Sequence, residues 1–162
     1  MEPKNKLREI PDVEIVDYQS QYKQAFKDLN EEWITAYFKM EESDYKALDH
    51  PEEYILNKGG CILIAVCHGE PVGACALIKM ENETFELAKM AVSPKAKGKG
   101  IGLLLGNAAI SKARQAGAKQ LYLESNTVLQ PAINLYYKLG FTKFTGVPSP
   151  YERCDIQMGL IL

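Results

Sequence analysis

The chain has 162 residues, 46% hydrophobic and 25% charged, as in a globular protein able to bury a core. Its net charge of −2 provides no global field toward nucleic acid or an anionic membrane. No apolar run approaches the ~18 residues of a membrane span.

Residues 12–18, DVEIVDY, alternate like an edge strand. Residues 20–38 put Phe26, Leu29, Trp33, Ile34 and Tyr37 on one helical face. Residues 43–57 read as one or two short helices interrupted near Pro51. Three strands follow as an antiparallel meander: CILIAVC (61–67), VGACALIKM (72–80) and FELAKMAV (85–92), turned by HGEP and ENET. A helix then begins at Ile101 and stops at Gly117, with Leu104, Leu105, Ala108 and Ala109 on its apolar face. QLYLES (120–125) is a strand, Pro131 opens another helix, and Gly140 ends it. FTKF (141–144) and RCDIQMGLIL (153–162) close the chain as strands. A strand-helix-strand unit requires a parallel pairing, so the order implies a mixed sheet with helices on both faces. The expected organisation is one domain over residues 1–162.

Cys61, Cys67, Cys75 and Cys154 are scattered through apolar stretches, and His50 and His68 are unpaired. That pattern argues against a zinc site or a disulfide framework. It suits buried thiols in a reducing cytosol. MEPKNKLREI lacks the apolar stretch of a secretory leader. The expected location is therefore cytoplasmic.

The unusual segment is KAKGKGIG (95–102), which sets three lysines and three glycines directly before an apolar helix. Glycine leaves the backbone open, and unbonded amides at a helix N-terminus attract anions. A phosphate-bearing ligand is expected. The P-loop pattern G-x-x-x-x-G-K-S/T fails because Gly100 follows Lys99. The dinucleotide pattern G-x-G-x-x-G fails because its last place holds Leu103 or Leu105. Glu124 stands where a ribose-binding acid would be, so nucleotide binding stays open as an alternative. A glycine turn without a ligand also stays open, although three lysines with no nearby acid would repel one another.

MAVSPKAKGKGIGLLL resembles the pyrophosphate-binding segment of the GNAT-type N-acetyltransferases, whose core pattern is Q/R-x-x-G-x-G/A. Lys97, Gly100 and Gly102 fill it, five residues after the strand-ending Val92. NTVLQPAINLYYKLGF resembles the family's second signature through Ala132, Leu135, Tyr136, Gly140 and Phe141. The resemblance covers residues 60–145 well. It implies an α/β (α+β) fold with a mixed, mostly antiparallel sheet of about seven strands, and acetyl-CoA as cofactor. The pyrophosphate would lie over the amides of Gly98, Lys99, Gly100, Ile101, Gly102 and Leu103. Lys97, in place of the family's Gln or Arg, keeps charge but loses the guanidinium fork. The pantetheine arm would run along Met90, Ala91 and Val92, where a β-bulge in strand 85–92 splays it from strand 120–125. The N–H of Met90 or Val92 would face the thioester carbonyl. Asn126 and Asn134 are candidates for the pantetheine amides, although Asn126 can instead cap a turn.

Transfer to an amine requires a base and an acid. Strict alternation puts Glu86, Ala88, Met90 and Val92 on one face, and burial there would raise the pKa of Glu86 into a useful range for the base. A satisfied structural carboxylate is the other reading of Glu86. Tyr136 matches the family's tyrosine near the CoA sulfur and is the candidate acid; its alternative is a core side chain. No base accompanies Cys67 or Cys75, so direct attack in a ternary complex is expected rather than a covalent enzyme intermediate. The acceptor pocket is expected from residues 29–54, rich in acids and aromatics, and from TGVPSPYE (145–152). An acidic, aromatic surface suits a cationic amine. A small-molecule amine is the favoured acceptor, with a peptide amine or a non-catalytic acyl-CoA sensor as alternatives. A homodimer is compatible with this; nucleic-acid and membrane partners are not expected.

Overall fold

The computed structural model describes residues 12–145 and 149–162. One seven-stranded sheet runs in the order β1-β2-β3-β4-β5-β7-β6. Its strands are β1 (Val13–Asp17), β2 (Cys61–Cys67), β3 (Glu70–Lys79), β4 (Thr84–Val92), β5 (Gln120–Ser125), β6 (Thr142–Lys143) and β7 (Ile156–Ile161). Every pairing is antiparallel except β4 with β5, which is parallel. That is the mixed, mostly antiparallel sheet anticipated from the strand-helix-strand unit.

Four α-helices cover the sheet: α1 (Lys23–Tyr37), α2 (Glu42–Asp49), α3 (Ile101–Gln115) and α4 (Gln130–Leu139). Two buried clusters lie on opposite faces. Phe26, Ile34 and Leu48 from α1 and α2 join Ile62, Ile64, Ala74 and Ala76. Ile101, Leu105, Ala109 and Ile133 from α3 and α4 join Leu63, Cys75, Leu77 and Leu123. The alternation of β2 and β3 therefore serves both layers at once, which is why these strands read as continuous apolar runs.

Local chemistry sets the ends of the elements. A capping box closes the start of α2, with Glu41 as N-cap and Asp44 at the third position. Pro51 ends that pattern, and a single π-helical turn (Glu52–Leu56) follows. Gly140, at φ 105°, caps α4 in the left-handed region. The last two strands are shorter than FTKF and RCDIQMGLIL suggest. β6 keeps two residues and β7 starts at Ile156, because Arg153 and Asp155 turn away to bond α2 and Thr127.

Two features of β4 shape the site. It pairs with β5 only through Thr84–Gln120, Phe85–Leu121 and Glu86–Tyr122; beyond Glu86 the strands part. Along β3 it pairs Ala74 with Ala91 and Ala76 with Ala88. β3 advances two positions there and β4 three, so β4 carries one extra residue, a β-bulge. Lys89 sits in it at φ 52°, a conformation costly for a non-glycine residue.

Candidate active site

The bulge reverses the facing of β4. Before it, Phe85 and Leu87 pack with α3 and α4; after it, Ala91 packs with α1 and α2, while Met90 and Val92 pack toward α3. Glu86 therefore does not share a face with Met90 and Val92, as strict alternation would have it. The extra residue inverts the pattern between them.

A cleft of about 520 Å³ opens where β4 and β5 part. Met90, Ala91 and Val92 line it, with Lys97, Gly98, Gly100, Ile101, Gly102 and Leu103 at one end and Asn126, Asn134 and Tyr136 along its side. Glu86 and Glu124 lie at the parting point, and Trp33, Tyr37, Phe38, Tyr151, Arg153 and Cys154 close the far end. Lys99 is exposed and is not among the lining residues.

At the glycine end, Gly100 is the N-cap of α3 at φ 79°, with no side-chain cap. The first helical bond runs from the N–H of Leu104 to the carbonyl of Gly100 at 3.1 Å. The amides of Gly100 to Leu103 thus have no helical acceptor and carry the positive end of the helix dipole. Gly102 has a packing reason as well: a Cβ there would lie 3.0 Å from Leu135 of α4. The three lysines are not equivalent. Lys95 is bonded to Glu70 at the start of β3, a nearby acid on a distant part of the chain.

Glu86 is half-buried, and its carboxyl accepts no hydrogen bond from the described residues. Burial, then the charge of Glu124, pushes its carboxyl up to about 7 against the opposing pull of Lys89. Glu124 is satisfied: the hydroxyls of Tyr122 and Ser149 each donate to it at 2.6 Å. Tyr136 lies half-buried, edge-on to Phe141 at 6.2 Å between centroids. Burial, then Cys75, pushes its phenol up to about 12, so it holds its proton at neutral pH. The adjacent Tyr137 is exposed and points elsewhere. Asn126 is largely committed: its Nδ2 donates to the carbonyl of Arg153 at 2.7 Å, and its Oδ1 accepts from the N–H of Val128 at 2.8 Å. The turn-capping alternative describes it. Asn134 is exposed on α4 with its side chain unpartnered among the described residues.

The family model for the acetyltransferase (GNAT) family matches residues 23–141. The chain belongs to this family. Among curated relatives, an uncharacterised N-acetyltransferase of Escherichia coli, YjgM, is 34% identical over 97 residues, 58% of each chain. The chain thus spans less than two thirds of the length of the curated relatives it matches. Among solved structures, a GNAT-family acetyltransferase of Staphylococcus aureus superposes with a TM-score of 0.83 at 21% identity, covering 91% of this chain and 97% of that one. A phosphinothricin acetyltransferase of Sinorhizobium meliloti, solved in complex with acetyl-CoA, superposes with a TM-score of 0.75 at 19% identity, over 93% and 89% of the two chains. These likenesses show the GNAT fold.

The far end of the cleft holds what sequence reasoning missed. Asp44 of α2 is fully buried. Its Oδ1 accepts from Lys89 at 2.7 Å and from Nη2 of Arg153 at 2.6 Å. Its Oδ2 accepts from Nη1 of Arg153 at 2.7 Å and from the N–H of Glu41 at 2.9 Å. The guanidinium lies 4.6 Å from the ring of Tyr151 and 5.9 Å from that of Trp33. Glu41 and Asp44 are thereby engaged with cations of the chain itself and do not present an open acidic face. The signal was a lysine inside an apolar strand, FELAKMAV. Cys154 also lines the cleft, but burial, then Glu124, raises its thiol pKa, which makes it a poor nucleophile.

Proposed function

We propose that the protein is an acetyl-CoA-dependent N-acetyltransferase acting on the primary amine of a small molecule, with Glu86 as base and Tyr136 as acid. The observation that carries this is Glu86: a half-buried carboxyl, pushed up to about 7 by burial, with no hydrogen-bond partner among the described residues, at the point where β4 and β5 separate.

The residues present suit the cofactor. The unbonded amides of Gly100 to Leu103, with Gly98 and Lys97 beside them, suit a pyrophosphate. The unpaired edge of β4 at Met90, Ala91 and Val92 suits an extended amide-bearing arm, with Asn134 across the cleft. When bound, acetyl-CoA supplies an activated acetyl thioester. Glu86 takes the proton that an acceptor ammonium must lose before it can attack. A backbone N–H beside the bulge, at Met90 or Val92, offers a donor to the carbonyl oxygen as it gains charge. The phenol of Tyr136, protonated at neutral pH, gives its proton to the departing sulfur. A cleft of about 520 Å³ suits a small acceptor.

Calorimetry with acetyl-CoA, NAD and ATP tests the cofactor; selective acetyl-CoA binding is expected. Steady-state assays then test the base. Activity of the wild type should rise through about pH 7. Glu86→Gln should lower kcat by ~10²–10³ and flatten that limb. An unchanged profile in this variant removes Glu86 from the mechanism.

A further inference from the structure

Resting on the acetyltransferase reading, we infer that the acceptor carries a carboxylate close to its amine, as an amino acid does, and that Lys89, Arg153 and Tyr151 hold that carboxylate.

Donors and acceptors at the far end of the cleft do not balance. A carboxylate offers about four lone-pair sites. Asp44 receives four donors, from Lys89, twice from Arg153 and from the Glu41 amide. It has no site left for an acceptor ammonium. Each oxygen of Glu124 already accepts one hydroxyl, from Tyr122 and from Ser149. Of these three carboxyls, only Glu86 faces the cleft with no donor among the described residues.

The donors outnumber the acceptors. Arg153 has five N–H groups; two go to Asp44 and one to Glu41 at 3.4 Å. Lys89 has three; one goes to Asp44 and one to the Tyr151 hydroxyl at 3.0 Å. Three N–H groups on two cations, together with the Tyr151 O–H, therefore lack an acceptor among the described residues. All of these residues line the cleft. The side chains of Lys89 and Arg153 are only 5% and 13% exposed, so water meets little of this unused capacity. Arg153 lies against the rings of Tyr151 and Trp33 and makes a two-point contact with Asp44, so its fork is fixed before anything binds. One unbonded carboxyl beside a fixed set of surplus donors matches a ligand with one ammonium and one carboxylate.

The test follows thiol release from acetyl-CoA with a panel of primary-amine L-amino acids, each paired with its carboxamide, and with spermidine and tyramine. Each amide keeps the amine and side chain and replaces the carboxylate by a neutral group, which also lowers the amine pKa, so each pair is compared per unprotonated amine. The expected result is at least ~tenfold higher kcat/KM for the acid of each accepted pair, carried by KM. Arg153→Gln should collapse that ratio toward one by raising the acid's KM. Lys89→Met does the same by a separate route should Arg153→Gln fold poorly, and the wild-type pairs need no variant. Amides accepted as well as acids, or turnover confined to spermidine and tyramine, overturns the inference and leaves the acetyltransferase reading standing. Acetyl-CoA bound with no thiol release for any amine overturns that reading, and the inference with it.

Discussion

The two ends of the cleft are built in opposite ways. The glycine end is made of main chain from one continuous segment: unbonded amides, a left-handed Gly100 and exposed lysines. The far end is made of side chains brought from afar, since Lys89 meets Asp44 across 45 positions of sequence and Arg153 meets it across 109. An anion common to many enzymes can be held by backbone, which every residue supplies. A particular acceptor must be distinguished by side chains. Their charges, once buried, have to be paired within the protein.

The sharpest way to break that contrast is at Asp44. Asp44→Ala removes the shared counter-ion of two buried cations and should cost about 3–5 kcal/mol, lowering Tm by roughly 6–20 °C. Burial alone would raise the carboxyl's pKa, but the Arg153 hydrogen bond and the Lys89 charge outweigh it and hold the group at about 2 against an ordinary 3.8. The folded state therefore binds this proton less readily than the unfolded chain. The resulting stabilisation, about 2 kcal/mol, is complete above pH 4 and is lost as pH falls toward 2. The gap between wild type and variant in denaturant titrations should narrow by about that amount over the window. A variant as stable as wild type at pH 7 would mean that the network does not hold the far end together.

At the other end, Gly100→Val should weaken acetyl-CoA binding by more than ~100-fold by calorimetry. Valine is strained at φ 79° and sets a branched side chain over the amides. The far end should keep its melting behaviour apart from a loss of roughly 1–2 kcal/mol for the left-handed position. Wild-type binding in this variant would separate the glycine segment from the cofactor.

The same contrast decides what could be read from the chain. β2, β3, α3 and the glycine loop are local patterns of period and turn chemistry, and their positions follow from KAKGKGIG and its neighbours. Tyr136 and Glu86 stood out, one in a signature and the other as an acid in an apolar strand, and both line the cleft. The bulge was expected in β4, but not its consequence, since an inserted residue changes the facing of every side chain after it and leaves no mark in composition. Lys89 was as conspicuous in FELAKMAV as Glu86. Its meaning depended on Asp44 and Arg153, partners that only the tertiary fold brings together. Lys95 likewise found Glu70. Part of the TGVPSPYE loop, residues 146–148, lies outside the described residues, so its expected share in the acceptor pocket rests on Tyr151 and its neighbours.

Tyr136 lies between the two ends, and its substitution sharpens the division of labour. Tyr136→Phe keeps the ring against Phe141 and removes only the hydroxyl. It should lower kcat by roughly 10–100-fold while the Kd for acetyl-CoA stays within about twofold. A loss of binding without a loss of kcat would assign the residue to packing.

Lys97 gives the smallest effect and the most specific one. It is exposed, so solvent screens its charge, and on the proposed reading most of the hold on a pyrophosphate falls to amides that no side-chain change removes. Lys97→Arg restores the planar fork found elsewhere in the family and should tighten acetyl-CoA by only about two- to fivefold. Lys97→Ala should weaken it by a similar factor. Salt separates charge from geometry: the gain from arginine should persist at high ionic strength to the extent that it comes from paired hydrogen bonds, whereas the loss in alanine should vanish as added salt screens the wild-type lysine. If Lys97→Ala instead abolished binding, the anion would be held by side-chain charge, and the glycine end would be built on the same plan as the far one.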